Sequence, residues 1–473
     1  MTKINEPLDV EYLVFQGGGG KGVAYAGALK ALEELGILPI RPGENNHLKG
    51  IAGTSAGAIS ALMLAMGYTS DEIDERFLSD PDMFTAFFDG PDNDSYRTVS
   101  AFNSPGRSER SVHINVNETF GDFLKNIREL SLQNPFLRIV GVTIIALVNK
   151  HSGFHSLLGR PAPEGLLLLF KSLDQSLKDN LGGRIVGSLG QNNVAEAIVD
   201  IYLELLKYVT FLFLYDIDEA NAALNKLGKH KNQYLYNLFF DLGFFPGFTI
   251  REFFQKHITL RFKELYEGRN IQGATLNFKD FYELTGCNLI FTGVNVSKNH
   301  FQFFSKDHTP DFPVAEAAAI SMNIPIVFKP IHVQRRDLEG FWIDGGTVNN
   351  LPLHAFDYLE KPELLTRYNE DLYAYLHSKV LAISLIDFLP GEKPDSKEEN
   401  YFPVVDFINS LLQVMWDPNE SQIKREIERE QIIQIPYGGL STLNFSPSEE
   451  LKEEPIRRAY KLVMEYFGRS NTD

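Results

Sequence analysis

The chain has 473 residues, of which 44% are hydrophobic and 23% charged. That composition excludes a disordered or fibrous protein, and the length exceeds what one hydrophobic core normally supports. A net charge of −17 argues against nucleic acid as a partner and against attraction to an anionic bilayer, so any lipid contact would rest on apolar and aromatic surface, including 36 phenylalanines. The single cysteine, Cys287, excludes an intramolecular disulfide framework.

Met1 to Asp9 alternates charge without an apolar core, so the sequence predicts no secretory signal peptide. The expected location is cytoplasmic or peripheral to a membrane, which leaves open export by a route that needs no signal peptide. Residues 11–16 read as a short buried strand and 23–35 as an Ala-rich helix closed by Gly36. Between them lies Gly17-Gly18-Gly19-Gly20-Lys21-Gly22. Residues 48–52 form the next strand and 56–66 the next helix, joined by Gly53-Thr54-Ser55-Ala56-Gly57. The uncharged run 50–70 is long enough to span a bilayer, but Gly53, Thr54, Ser55, Gly57, Ser60 and Gly67 interrupt it. A buried strand–turn–helix fits it better. Strands alternating with helices predict an α/β fold with a mostly parallel sheet.

The alternation then stops. Residues 79–110, rich in Asp, Pro, Ser and Asn, read as a surface segment or linker. Helical periodicity dominates 112–268, in stretches 120–132, 165–181, 194–214 and 219–240. The apolar runs 139–148, 166–170 and 208–215 are too short to cross a bilayer. They fit the core of a helical subdomain or a cap with a lipid-facing side. Strands return at 288–296 and 301–304, followed by a short helix at 314–321 and strands at 326–328 and 341–343. Residues 379–386 make another buried strand. A polar linker runs from 390 to 400, and helices are expected at 402–416, 420–430 and 449–467.

The chemistry concentrates in three places. Gly53-Thr54-Ser55-Ala56-Gly57 has the form G-x-S-x-G, which holds a serine on a sharp strand-to-helix turn with its hydroxyl exposed. A packing turn with an N-cap serine competes with that reading. The amides of Gly18, Gly19 and Gly20 offer an uncrowded row of donors for a developing oxyanion. Gly17, Gly19 and Gly22 also satisfy G-x-G-x-x-G, so a nucleotide- or anion-binding module is a rival from another class. Dinucleotide binding, however, wants an acidic residue after the second strand, where this chain runs straight into the serine turn. Asp344-Gly345-Gly346 follows a strand and supplies a carboxylate, although Asp-Gly is also an ordinary turn dipeptide. His332 and His354 lie near it, so a Ser-His-Asp triad stays open on sequence. No Cys/His cluster and no Asp-rich loop point to a metal, and no cofactor is expected.

Taken in order, the glycine loop Gly17–Gly22, the Gly53–Gly57 turn, residues 314–328 and Asp344-Gly345-Gly346 resemble the patatin-like phospholipase family. The resemblance covers roughly residues 11–100 and 285–390. It implies a three-layer α/β domain flanked by helices, assembled from residues 1–100 and 269–390, and does not extend to the helical insertion at 101–268 or the linker and helical segment at 391–473, which periodicity and composition alone predict. It further implies lipid acyl hydrolysis through a serine–aspartate dyad, with Ser55 as nucleophile, Asp344 as base and Gly18–Gly20 as oxyanion hole. Gly17, Lys21, Gly22, Gly53, Gly57, Gly345 and Gly346 would support those motifs. The implied substrate is a phospholipid or lysophospholipid at a membrane interface. An effector whose insertion or C-terminal helices bind an activating protein is a further reading. Lys21 stands where the family usually carries Arg, which keeps the charge but loses the bidentate fork.

Overall fold

The computed structural model describes residues 4–79, 83–89, 243–365, 378–386, 430–438, 440 and 447–469. The helices expected at 120–132, 165–181, 194–214, 219–240, 402–416 and 420–430 lie outside them, apart from Glu430. The chain divides into two compact units, the first comprising 1–89, 99–105 and 246–473, the second 90–98 and 106–245.

Within the first unit, the described elements alternate as the apolar pattern demands. They are β1 (Tyr12–Phe15), α1 (Tyr25–Glu34), β2 (Gly50–Gly53), α2 (Ala56–Ala65), α3 (Phe248–Leu265), α4 (Phe278–Thr285), β3 (Asn288–Asn295), β4 (His300–Phe304) and α5 (Val314–Ser321). After these come β5 (Ile326–Phe328), β6 (Ile331–Val333), β7 (Gly340–Asp344), β8 (Val380–Ile386), β9 (Ile432–Pro436) and α6 (Glu449–Tyr466). Eight of these strands form one sheet in the order β9-β8-β1-β2-β3-β7-β6, with β4 on the other edge of β3. Pairing is parallel from β9 to β3, while β4 and β7 run antiparallel to β3, and β6 antiparallel to β7. Every residue of β1, β2, β3 and β8 is buried, the signature of strands covered on both faces.

On one face, Phe15 meets Tyr25 of α1 edge-on at 5.3 Å, and a side chain grown on Gly293 would strike Ile320 of α5. The other face carries Tyr12, Val14, Ala52, Ile290 and Val294, capped by Leu353, Ala355 and Phe356. Helix α2 is apolar on every side, as a helix enclosed by neighbours must be, and eight of its ten residues are buried. Among the described residues no helix is long and apolar enough to cross a membrane.

Two boundaries differ from the sequence reading. Residues 246–268 were assigned to the insertion but belong to the first unit, where α3 docks on α5 through Arg251 and Glu316 at 2.6 Å. The Asp89 carboxylate caps α3 from far away in sequence, accepting N–H groups of Gly247 (2.9 Å) and Phe248 (2.7 Å). The chain thus first leaves the first unit after Asp89 and makes its final return at Pro246. The segment 83–89, expected as surface linker, buries Phe87 and Phe88 completely. At the other end, residues 391–473 are not a purely helical appendage. Ile432–Pro436 adds a parallel strand to β8, and α6 packs so closely on α1 that a Cβ on Gly27 would sit 1.8 Å from the Ile456 carbonyl. Isoleucine alternation in so short a run reads equally as helix or strand, and only pairing with β8 decides it.

Arg261 of α3 is 8% exposed and stitches the end of α2. Its guanidinium donates to the Met66 (3.2 Å) and Gly67 (2.6 Å) carbonyls, pairs with Glu72 at 3.0 Å and lies over the Tyr68 ring. Those carbonyls have no further turn of helix to donate N–H groups to them. Arg261→Met should therefore lower the unfolding free energy by about 2–4 kcal/mol, read as a shift in the urea midpoint at unchanged slope. A midpoint like that of the wild type would mean that water replaces the guanidinium at no cost.

Candidate active site

The turn after β2 holds Ser55 at φ +52°, ψ −123°, which a residue with a side chain rarely adopts. The flanking residues account for it. A Cβ on Gly57 would fall 2.4 Å from the Phe15 carbonyl, so only glycine lets α2 start this close to β1. Thr54, fully buried, shares a hydrogen bond of 2.8 Å with the Thr292 hydroxyl and donates to the Asn349 carbonyl at 3.2 Å. The Ser55 N–H donates to the Ser321 hydroxyl at 3.1 Å.

Sheet register brings Asp344 to the same place. Gly53 at the end of β2 sits opposite Phe291, and Asp344 at the end of β7 sits opposite Gly293. Since β4 occupies the other edge of β3, β2 and β7 share one edge and run toward each other. Their C-terminal ends stop two positions apart along β3, which sets the Ser55 hydroxyl close enough to the Asp344 carboxylate to favour its ionised form. Asp344 is 1% exposed. Burial pushes its pKa up to about 7, against the lowering pull of the Gly346 N–H (2.7 Å) and the Ser55 hydroxyl. A carboxylate at that value is half-protonated near neutrality and far more basic than an ordinary aspartate.

The glycine loop closes over both. Gly17 is clamped by Asn350, whose carbonyl accepts the Gly17 N–H at 2.9 Å and whose amide donates to the Gly17 carbonyl at 3.2 Å. A 3₁₀ helix runs over Gly19–Ala24, and its first bond joins the Lys21 N–H to the Gly18 carbonyl. The amides of Gly18, Gly19 and Gly20 therefore lie ahead of the helix's own ladder. Gly22 abuts Ala56, and a Cβ on Gly345 would strike the Thr292 side chain, so the three motifs interlock. Gly346 donates to the aspartate, and Gln16 ties the loop's root to β8 through the Leu385 N–H at 2.9 Å. Lys21 places its ammonium 3.9 Å from the centre of the Tyr437 ring, just after β9.

A cavity of about 60 Å³ opens beside the loop. Gly19, Gly20 and Ala56 line it together with the apolar side chains of Leu29, Ile59, Met63, Phe77 and Phe84. The two candidate histidines lie elsewhere. His332 pairs in register with Phe341 and stacks on its ring at 4.6 Å, on the sheet face opposite Asp344. His354 bonds Asp357 at 2.6 Å, next to Phe356, which packs on Gly50 at the far end of β2 from Ser55. Among the described residues no three His, Cys, Asp or Glu side chains are grouped to hold a metal.

Ser321, Asn323, Thr292 and Asn350 escaped the sequence reading. Each is an ordinary polar residue in a single sequence, and its role exists only through contacts between residues 19 to 333 positions apart.

The comparisons bear on the identity of this arrangement. The viral protein named "Probable lipid hydrolase 463L", from Invertebrate iridescent virus 6, is 25% identical over 210 residues, 41% of this chain and 62% of its own. The uncharacterized protein YqhO of Bacillus subtilis (strain 168) is 53% identical over 60 residues, 13% of this chain and 18% of its own. Among solved structures, VipD from Legionella pneumophila aligns at a TM-score of 0.40 and 18% identity, over 97% of this chain and 67% of that one. The chain thus spans less than two thirds of the two curated relatives. The model of the patatin-like phospholipase family matches residues 13–357, from β1 through the glycine loop and the serine turn to beyond Asp344, and the chain belongs to that family.

Proposed function

We propose that the protein is a lipid acyl hydrolase of phospholipase A or lysophospholipase type, in which Ser55 and Asp344 act as a dyad. The observation that carries this reading is the strand register that brings Ser55 and the buried Asp344 to one point on the edge of β3, where burial raises the carboxyl pKa to about 7. Asp344 takes the hydroxyl proton as Ser55 Oγ attacks the ester carbonyl. The tetrahedral oxyanion is held by the amides of Gly18–Gly20, donors whose individual loss typically costs ~10²–10³ in rate. Collapse breaks the acyl–oxygen bond, and the departing alkoxide takes the proton from Asp344. Water then attacks the acyl-enzyme, giving its proton to Asp344, and the second collapse releases fatty acid and returns the proton to Ser55. The cavity beside Gly19 and Ala56 is apolar, in keeping with an acyl group whose first methylenes adjoin the ester carbonyl.

The test is release of free fatty acid from phosphatidylcholine–phosphatidylethanolamine vesicles. Wild type should release it, and His332→Gln and His354→Gln should retain turnover within a few-fold, because neither ring lies beside Asp344. Loss of activity in either histidine variant with folding preserved would replace the dyad by a triad. Absence of turnover in the wild type would remove the hydrolase reading.

A further inference from the structure

Resting on that hydrolase reading, we propose that the C-terminal turn of α5 positions both reacting groups, with Ser321 and Asn323 as the positioning residues. All eight residues of α5 are buried, and the small side chains of Ala315, Ala317, Ala318 and Ala319 let the helix lie close against its neighbours. Its N-terminal half is fixed by Glu316, whose carboxylate pairs with Arg251 of α3 at 2.6 Å. At its other end the grips on the site are direct. The Ser321 hydroxyl accepts the Ser55 N–H at 3.1 Å. The Asn323 carbonyl accepts the Asp344 N–H at 2.9 Å, and the Asn323 amide donates to the Trp342 carbonyl at 3.1 Å. One rigid turn therefore holds the backbone of Ser55 and the backbone of Asp344, although the two arrive on strands running in opposite directions.

The physical need is specific. A residue at the Ser55 dihedrals costs roughly 1–3 kcal/mol and persists only where its surroundings over-determine it. Its N–H is buried and must find an acceptor. Ser321 supplies that acceptor from outside the turn, so the nucleophile's position is set against α5 and not by the turn alone. The Asn323 carbonyl, just past the C-cap of α5, sets the aspartate against the end of the same helix, so the two groups are placed by residues two positions apart in the chain.

The test compares Ser321→Ala, Ser321→Thr and Asn323→Ala with wild type and Ser55→Ala, using fatty acid release from the same vesicles and amide hydrogen exchange of the peptide covering residues 50–58. A misplaced nucleophile or base lowers turnover by ~10–100-fold at an angstrom of displacement. Ser321→Ala should lower kcat by that order with KM within about twofold. Asn323→Ala keeps the main-chain carbonyl that accepts the Asp344 N–H and loses only the amide bonded to the Trp342 carbonyl, so its loss of kcat should be several-fold and smaller than that of Ser321→Ala. Ser321→Ala should also speed exchange in the 50–58 peptide, and Ser321→Thr, which keeps the hydroxyl, should recover most of both effects. The proposal is overturned if kcat in Ser321→Ala stays near wild type, if the loss falls on KM, if exchange in the peptide is unchanged, or if Ser321→Thr behaves like Ser321→Ala. Failure of the hydrolase reading has a different signature: Ser55→Ala would release fatty acid as fast as wild type, whereas the exchange comparison would still report whether Ser321 holds the turn.

Discussion

Ser55→Ala is expected to reduce fatty acid release roughly 10⁴-fold or more and to abolish labelling by a fluorophosphonate, with the fold intact. The side chain removed is small and makes few packing contacts, so stability should change little or rise. At φ +52° an alanine carries the same backbone strain as serine, and the Ser321 hydroxyl still accepts its N–H. The loss is therefore chemical. Without Oγ no acyl-enzyme forms, and what remains is the contribution of the glycine amides and substrate binding to direct attack by water. A variant that still releases fatty acid at a tenth of the wild-type rate would place the nucleophile elsewhere.

Asp344→Asn should cost ~10³–10⁴ in kcat, because an amide accepts no proton from Ser55. The pH dependence follows from the raised pKa. Asp344 works as a base only when ionised, so wild-type kcat/KM should rise with pH to a plateau through a midpoint near 7, and the residual activity of Asp344→Asn should lack that limb. Stability should move the other way. The folded state holds this proton up to about 7, whereas the unfolded chain releases it near the ordinary aspartate value. Between those values the native state binds more protons, so its stability falls as pH rises through the window. Asn never ionises. The substitution should consequently be stabilising above neutrality, by a quantity on the order of 4 kcal/mol at most, and near neutral in effect below pH ~4. Melting temperatures of both proteins across pH 4–8 check this, and a variant less stable than wild type at pH 8 would contradict a carboxylate buried at a cost.

The opposed behaviour of rate and stability explains why such a group sits here. In the proposed dyad, the desolvation that would make Asp344 basic enough to act without a histidine is the same desolvation that penalises its charge. The fold accepts the cost because β7, the Gly346 N–H and the α5 turn hold the carboxylate where the Ser55 hydroxyl meets it.

How much of this was written in the chain differs by feature. The sequence by itself determined the local elements: buried runs at β1, β2, β3 and β8 read as strands, the Ala-rich stretches of α2 and α5 as helices, and each glycine-rich turn fell between a strand and a helix. Those signals are local, since periodicity and turn chemistry act over fewer than ten residues. The same locality made Gly18–Gly20, Ser55 and Asp344 visible as candidates through their motifs. Where a short run was ambiguous, as in β9, or where a helix continued past an insertion, as in α3, local pattern could not say which partner would bury it. Only the tertiary structure decided that β2 and β7 meet end to end along one edge of β3, that His332 pairs opposite Phe341 and His354 bonds Asp357, and that Ser321 and Asn323 bond the backbones of Ser55 and Asp344 from a third segment. Those are consequences of strand order and register, which depend on contacts between residues tens to hundreds of positions apart and leave no mark on any one stretch of sequence.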